Sequence, residues 1–119
     1  MASKILIVDD EEGIRESLKL ILSDFYELIL TKDGVQALDC LEKSKEIKLV
    51  LMDIKMPRVN GLDVLKQIKE NHPKLDVVII TGYKSVETAT EAVRLGASGY
   101  IVTPFRSEEI LATVKSLLS

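Results

Sequence analysis

Two adjacent aspartates, Asp9 and Asp10, close one run of β-branched residues, and a third, Asp53, closes another much further along the chain. Thr81 and Thr103 end two further runs of the same kind. In an open parallel sheet the carboxyl ends of the strands share one rim, and function gathers there. If the first and third strands are neighbours, the three carboxylates converge. Carboxylates crowded in this way repel one another unless a cation sits among them. Hard oxygen donors with no His or Cys nearby suit Mg²⁺, which keeps several waters or phosphate oxygens in its shell. A divalent ion among acids also fits one of them to accept a phosphoryl group. The plainer reading is that an acid after a strand caps the following helix. That reading is adopted for Asp33 and Asn60 and set aside for the trio.

The elements that must position these residues alternate in texture. Short β-branched runs at Lys4 to Val8, Leu28 to Thr31, Leu49 to Asp53, Val77 to Thr81 and Tyr100 to Thr103 are each followed by a longer stretch with helical spacing. In the first such stretch Ile14, Leu18, Ile21, Leu22 and Phe25 form one apolar stripe; in the last, Ile110, Leu111, Val114, Leu117 and Leu118 do the same. Asp33-Gly34 opens the second helix, and Asn60-Gly61 opens a third that His72-Pro73 stops. The fourth, from Ser85 to Leu95, is built around Val86, Ala89, Ala92 and Val93, small side chains that predict weak anchoring and freedom to shift. Near-continuous apolar strands such as Val77 to Ile80 belong in a parallel sheet covered on both faces. The fold class is therefore α/β, a doubly wound layer structure.

Bulk properties narrow the function. A chain of 119 residues reads as one domain. With 46% hydrophobic and 29% charged residues it has the composition of a globular protein, and no apolar run is long enough to cross a bilayer. The N-terminus lacks a secretory pattern, which places the chain in the cytoplasm. Cys40 is the only cysteine, so neither an internal disulfide nor a thiolate metal cluster is expected. A formal charge of −3 argues against direct nucleic-acid contact.

Four stretches, "ILIVDDE", "LVLMDIKMPRVNGLDVL", "VVIITGY" and "GASGYIVTPF", occur in that order. Together they make the chain similar, over nearly all of residues 1–119, to a response-regulator receiver domain, the phosphoacceptor module of two-component signalling. The resemblance implies a flavodoxin-like sheet of five parallel strands in the order 2-1-3-4-5, flanked by five helices. It implies that Asp53 takes a phosphoryl group from a histidine kinase or phosphotransfer protein. Asp10, Asp53 and the backbone carbonyl of Lys55 would ligate Mg²⁺, with Asp9 bound through water. Thr81 would hydrogen-bond the phosphoryl oxygen and Tyr100 would turn inward as a switch. The fourth helix, fifth strand and fifth helix would then present an altered surface to an output domain, a target, or a second copy in a phosphorylation-dependent homodimer. The output is binding rather than turnover of an outside substrate. Lys55 and Tyr83, each two residues beyond a site residue, would screen the acyl phosphate from water. The stretch "TGYKSVETATEA" and the following "LGA" look most like receivers attached to nitrogen-regulation-type activators.

One position departs from the family pattern. Thr103 stands where receivers carry a Lys that pairs with the acids and then with the phosphoryl group. Three explanations compete: a phosphoacceptor with weakened coupling, a degenerate receiver working through phosphorylation-independent contacts, or an engineered or compensated change, with Lys55, Lys84 or Arg106 supplying charge. The bond before Pro104 is expected to be cis. An aspartyl phosphatase would want a second Asp where Lys55 stands, and a flavin carrier would not place acids after its first strand.

Overall fold

Residues 3–118 are described by a computed structural model. Strands β1 (Lys4–Val8), β2 (Glu27–Thr31), β3 (Ile47–Met52), β4 (Asp76–Thr81) and β5 (Gly99–Val102) alternate with helices α1 (Glu12–Leu22), α2 (Gly34–Lys43), α3 (Gly61–Asn71), α4 (Val86–Arg94) and α5 (Ser107–Leu118). All strand pairings are parallel, in the order β2-β1-β3-β4-β5. Strand order reverses beside β1, so the crevice at its carboxyl end lies between β1 and β3.

The continuous apolar strands serve two cores at once, because successive side chains point to opposite faces. Leu6, Val8, Val50, Met52, Val77 and Ile79 pack with Ala37, Val64, Leu65, Ile68 and Ala92, under α2, α3 and α4. Ile5, Ile7, Leu49, Leu51, Val78 and Ile80 pack with Leu18, Leu22, Ile110 and Val114, under α1 and α5. Each core closes without polar strain: among the described residues no buried side-chain nitrogen or oxygen lacks a hydrogen-bond partner.

Helix starts follow the expected chemistry. Asp33 accepts from the Gln36 amide at 2.9 Å, Asn60 from the Leu62 amide at 2.9 Å and Ser85 from the Thr88 amide at 3.2 Å. His72 is the C-terminal cap of α3. Two expectations for the helices fail in detail. The apolar spacing of the first helix continues to Phe25, but α1 ends at Leu22 and a turn through Ser23 and Asp24 leaves Phe25 60% exposed; Tyr26 packs against the core instead. In α4 only Ala92 is buried, while Val86 (84%) and Val93 (61%) face solvent. This helix is thus held even more weakly than its small side chains suggest. The Thr103–Pro104 bond is cis, as the resemblance implied.

Candidate functional site

The register of the sheet builds the site. Val8 pairs with Thr31 on one side and Met52 on the other, and the ladder runs one step past both strands. The Asp9 amide donates to the Thr31 carbonyl at 3.1 Å and the Asp53 amide to the Val8 carbonyl at 3.0 Å. Two aspartates are therefore fixed side by side by backbone bonds before their side chains make any contact. Asp10 follows on the rising loop. Asp9 and Asp53 are buried and Asp10 is exposed, and one carboxylate oxygen from each lies within 4.8 Å of the others.

That spacing fits a shared cation. Direct ligands on opposite sides of an octahedral Mg²⁺ stand about 4 Å apart and a group bound through water stands further off, so the trio suits an ion held directly by Asp10 and Asp53 with Asp9 reached through water. The donors are all hard oxygens, and among the described residues none of the three acids is in an ion pair. The pairs that form lie elsewhere: Lys4 with Glu27 and Glu46, Lys43 with Asp39, and Arg94 with Glu91. The consequence shows at Asp9, whose pKa is raised from 3.8 to about 7. Burial is the main cause, with repulsion from Asp53, Asp10 and Glu11 adding to it; the Glu11 amide, donating at 2.9 Å, pulls the other way.

Around the acids the loops are held closely. The Lys55 amide donates to Asp53 Oδ1 at 3.1 Å, and Lys55 bridges back to Asn60. The Gly61 amide donates to the Ile54 carbonyl at 2.8 Å, and a Cβ on Gly61 would sit 2.5 Å from Ile54 Cα and 2.7 Å from the Asp53 carbonyl. Only glycine lets α3 begin this close to the strand that carries Asp53. Arg58, at φ 70°, turns the same loop.

Thr81 ends β4, 2% exposed, its hydroxyl accepting from the Tyr83 amide at 3.3 Å. The Thr103 amide donates to the Thr81 carbonyl at 2.9 Å, so Thr103 stands beside Thr81 on the rim, half-buried and without charge. The Tyr100 hydroxyl donates to the Tyr83 carbonyl at 2.6 Å, tying β5 to the loop after β4. Burial, then the negative charge of Asp53, raises the Tyr100 pKa above its ordinary value. The Lys55 ammonium lies 3.9 Å from the centre of the Tyr83 ring, a cation–π contact spanning the two loops that flank Asp53.

The structure thus brings Asp9, Asp10 and Asp53 together, with Thr81 and Thr103 side by side on the same rim. Sequence reasoning missed Arg15, whose guanidinium donates to the Asp9 carbonyl at 2.7 Å. No pattern marks it, since an arginine early in a helix ordinarily faces water. It missed Gly61's second role as well, although the Asn60-Gly61 pair marks a helix start.

Comparison with known proteins agrees with this geometry. The family profile of the response regulator receiver domain matches residues 5–115. The response regulator MprA of Mycobacterium bovis is 39% identical over 119 residues, which are 99% of this chain and 51% of MprA. The receiver domain of NtrX from Brucella abortus is 38% identical with a TM-score of 0.89, covering 96% of this chain and 97% of that one. The Vibrio cholerae chemotaxis protein CheY4 is 29% identical with a TM-score of 0.91, covering 99% and 100%. The chain belongs to the response regulator receiver domain family, the phosphoacceptor modules of two-component signalling. It spans about half the length of the curated relatives it matches. Among the described residues, no helix is long and apolar enough to cross a membrane.

Proposed function

We propose that residues 1–119 form one receiver unit in which Asp53 accepts a phosphoryl group from a histidine kinase or phosphotransfer protein. A phosphohistidine N–P bond breaks, an O–P bond forms on the Asp53 carboxylate, and the histidine takes up a proton. The observation that carries this reading is the meeting of Asp9, Asp10 and Asp53 within 4.8 Å, a buried acid flanked by two more on the functional rim of the sheet. Asp10, Asp53 and the Lys55 carbonyl would hold Mg²⁺, with Asp9 reaching it through water. The ion, when bound, supplies positive charge to the phosphoryl oxygens. The Thr81 hydroxyl then turns to an oxygen of the new group and gives up the Tyr83 amide.

Tyr100 completes the proposed switch. Its hydroxyl releases the Tyr83 carbonyl as that loop moves, the ring turns inward, and the surface of α4, β5 and α5 changes. An output domain, a target protein or a second copy would read that surface, with no outside substrate turned over. The cytoplasm is the compartment where these partners meet. The assembled acid trio favours this reading over a phosphorylation-independent docking module, because docking alone gives no reason to bury unpaired carboxylates.

Incubation with a small phosphodonor and Mg²⁺, followed by mass spectrometry, tests the acceptor. One phosphoryl increment on the wild type and none on Asp53→Ala is expected; an increment that survives the substitution refutes it. The Lys55–Tyr83 contact supports a slow loss of the group, since the two side chains touch each other and together would screen Asp53 from water. Lys55→Ala with Tyr83→Ala is expected to speed self-dephosphorylation several-fold by phosphate release, and an unchanged rate counts against that screen.

A further inference from the structure

At the end of the sheet opposite the acids, a cavity of about 340 Å³ opens between the loop entering β3 and the loop entering β4. That volume is at the small end of ligand pockets, which run from roughly 300 to 1,000 Å³. Its floor is apolar: Leu41, Ile47 and Leu75 are buried core residues that show one side to the opening. Its walls are basic and polar, with Lys45, Lys48 and Lys74 beside Ser44 and His72, and among the described residues no carboxylate lines it. In a chain of net charge −3, this is a local reversal of sign.

No ion pair cancels the reversal. Among the described residues none of the three lysines is in an ion pair. Glu46, between Lys45 and Lys48 in sequence, accepts from Lys4 at 3.0 Å, and Asp76, just beyond Leu75, accepts from Ser98 at 2.8 Å. Glu46 is thus charge-paired outside the cavity, and Asp76, though still charged, is hydrogen-bonded by a residue outside it. The wall is also pre-formed. Lys69 donates to the Pro73 carbonyl at 2.9 Å and the Leu75 carbonyl at 2.8 Å, and the Leu75 amide donates to the His72 carbonyl at 3.1 Å. A ligand would not have to order this loop, which removes one of the usual costs of binding.

We propose that this cavity binds a small organic anion, with an apolar ring or chain against Leu41, Ile47 and Leu75 and its acidic group among Lys45, Lys48 and Lys74. A bare inorganic anion would leave the floor wet, and a neutral apolar molecule would leave the lysines unused. Neither fits as an anion with an apolar body does. The site stands independently of phosphorylation at Asp53.

Titration of the full ¹⁵N-labelled chain with phenyl phosphate and with benzoate, without divalent cations, tests the proposal by amide chemical shifts. Saturable shifts confined to residues 41–48 and 72–75 are expected with at least one of the two. Inorganic phosphate and benzyl alcohol are expected to bind at least tenfold more weakly. The triple variant Lys45→Gln, Lys48→Gln, Lys74→Gln should weaken binding at least tenfold while keeping the wild-type spectrum elsewhere. Absence of saturable shifts with both anions, equal binding of inorganic phosphate or benzyl alcohol, or full affinity in the triple variant would overturn it.

Discussion

Helices α3 and α4 lie side by side on one face of the sheet, yet they are held very differently. α3 buries Gly61, Val64, Leu65 and Ile68, whereas α4 buries Ala92 alone and turns Val86 and Val93 to water. A fully buried Val, Leu or Ile contributes roughly 1.5–3 kcal/mol, and an alanine far less. The side of the molecule that carries Asp53 is therefore stiff, and the side proposed to signal is loose. A receiver needs both: acids held together against their repulsion, and an output helix that a modest change at the rim can move.

The contrast is sharpest when each helix is cut at its best-buried side chain. Leu65→Ala should destabilise the whole domain by about 2–5 kcal/mol, seen as a lower urea midpoint, because it opens a cavity among buried neighbours. Ala92→Gly should cost about 1 kcal/mol, the usual helix penalty, and should speed amide exchange within α4 alone. Equal losses from the two would erase the distinction between the helices.

Coupling between the two sides is expected to be weak at Thr103. Its hydroxyl lies near Gly82, 3.1 Å from where a Cβ would stand there, and it offers no charge to the rim. A hydrogen bond to a charged group is worth roughly 1.5–3 kcal/mol, a factor of ten or more in an equilibrium. Thr103→Lys should therefore raise phosphorylation-dependent dimerisation or target binding about tenfold, measured with beryllofluoride as the stable phosphoryl mimic. Identical binding by the wild type and the Thr103→Lys variant would show that this position does not limit signalling.

Much of this was legible in the residues. Continuous apolar strands alternating with amphipathic stretches announced the doubly wound sheet, and acids at the ends of the first and third strands announced the trio. What stayed hidden depends on three dimensions. Phe25 continues the spacing of α1, but the spacing carries no sign that the helix stops at Leu22. Arg15 reaches the Asp9 carbonyl because of where α1 sits, which a one-dimensional pattern does not record. The small residues of α4 gave its looseness in outline; that both valines point outward follows from how the helix is rotated on the sheet.

The stiff side also pays for its acids. The Asp9 pKa is raised from 3.8 to about 7, so the folded form binds more protons than the unfolded form between those values. Stability should fall as pH rises through that window and stay low above it. Open to solvent through Asp10, the site loses much of the full effect to screening, leaving a change on the order of 1 kcal/mol. Thermal melts from pH 4 to 8 check the sign: Asp9→Asn should flatten the profile, and Mg²⁺ should restore stability at the alkaline end for the wild type. A wild-type profile that rises over this range would mean that the acids are already compensated.

The smallest expected effect concerns the face of α4 itself. Val86, 84% exposed, follows the Ser85 cap and lies in the first turn, where it adds almost nothing to the core. Val86→Thr keeps the β-branched shape and exchanges a methyl for a hydroxyl, so the isolated domain should change by less than about 0.5 kcal/mol. If this exposed valine belongs to the proposed output surface, the same change should weaken phosphorylation-dependent binding while phosphoryl uptake at Asp53 stays as in the wild type. A loss of stability approaching that of Leu65→Ala would show instead that α4 is pinned through its outer face, and the division into a stiff side and a loose one would no longer hold.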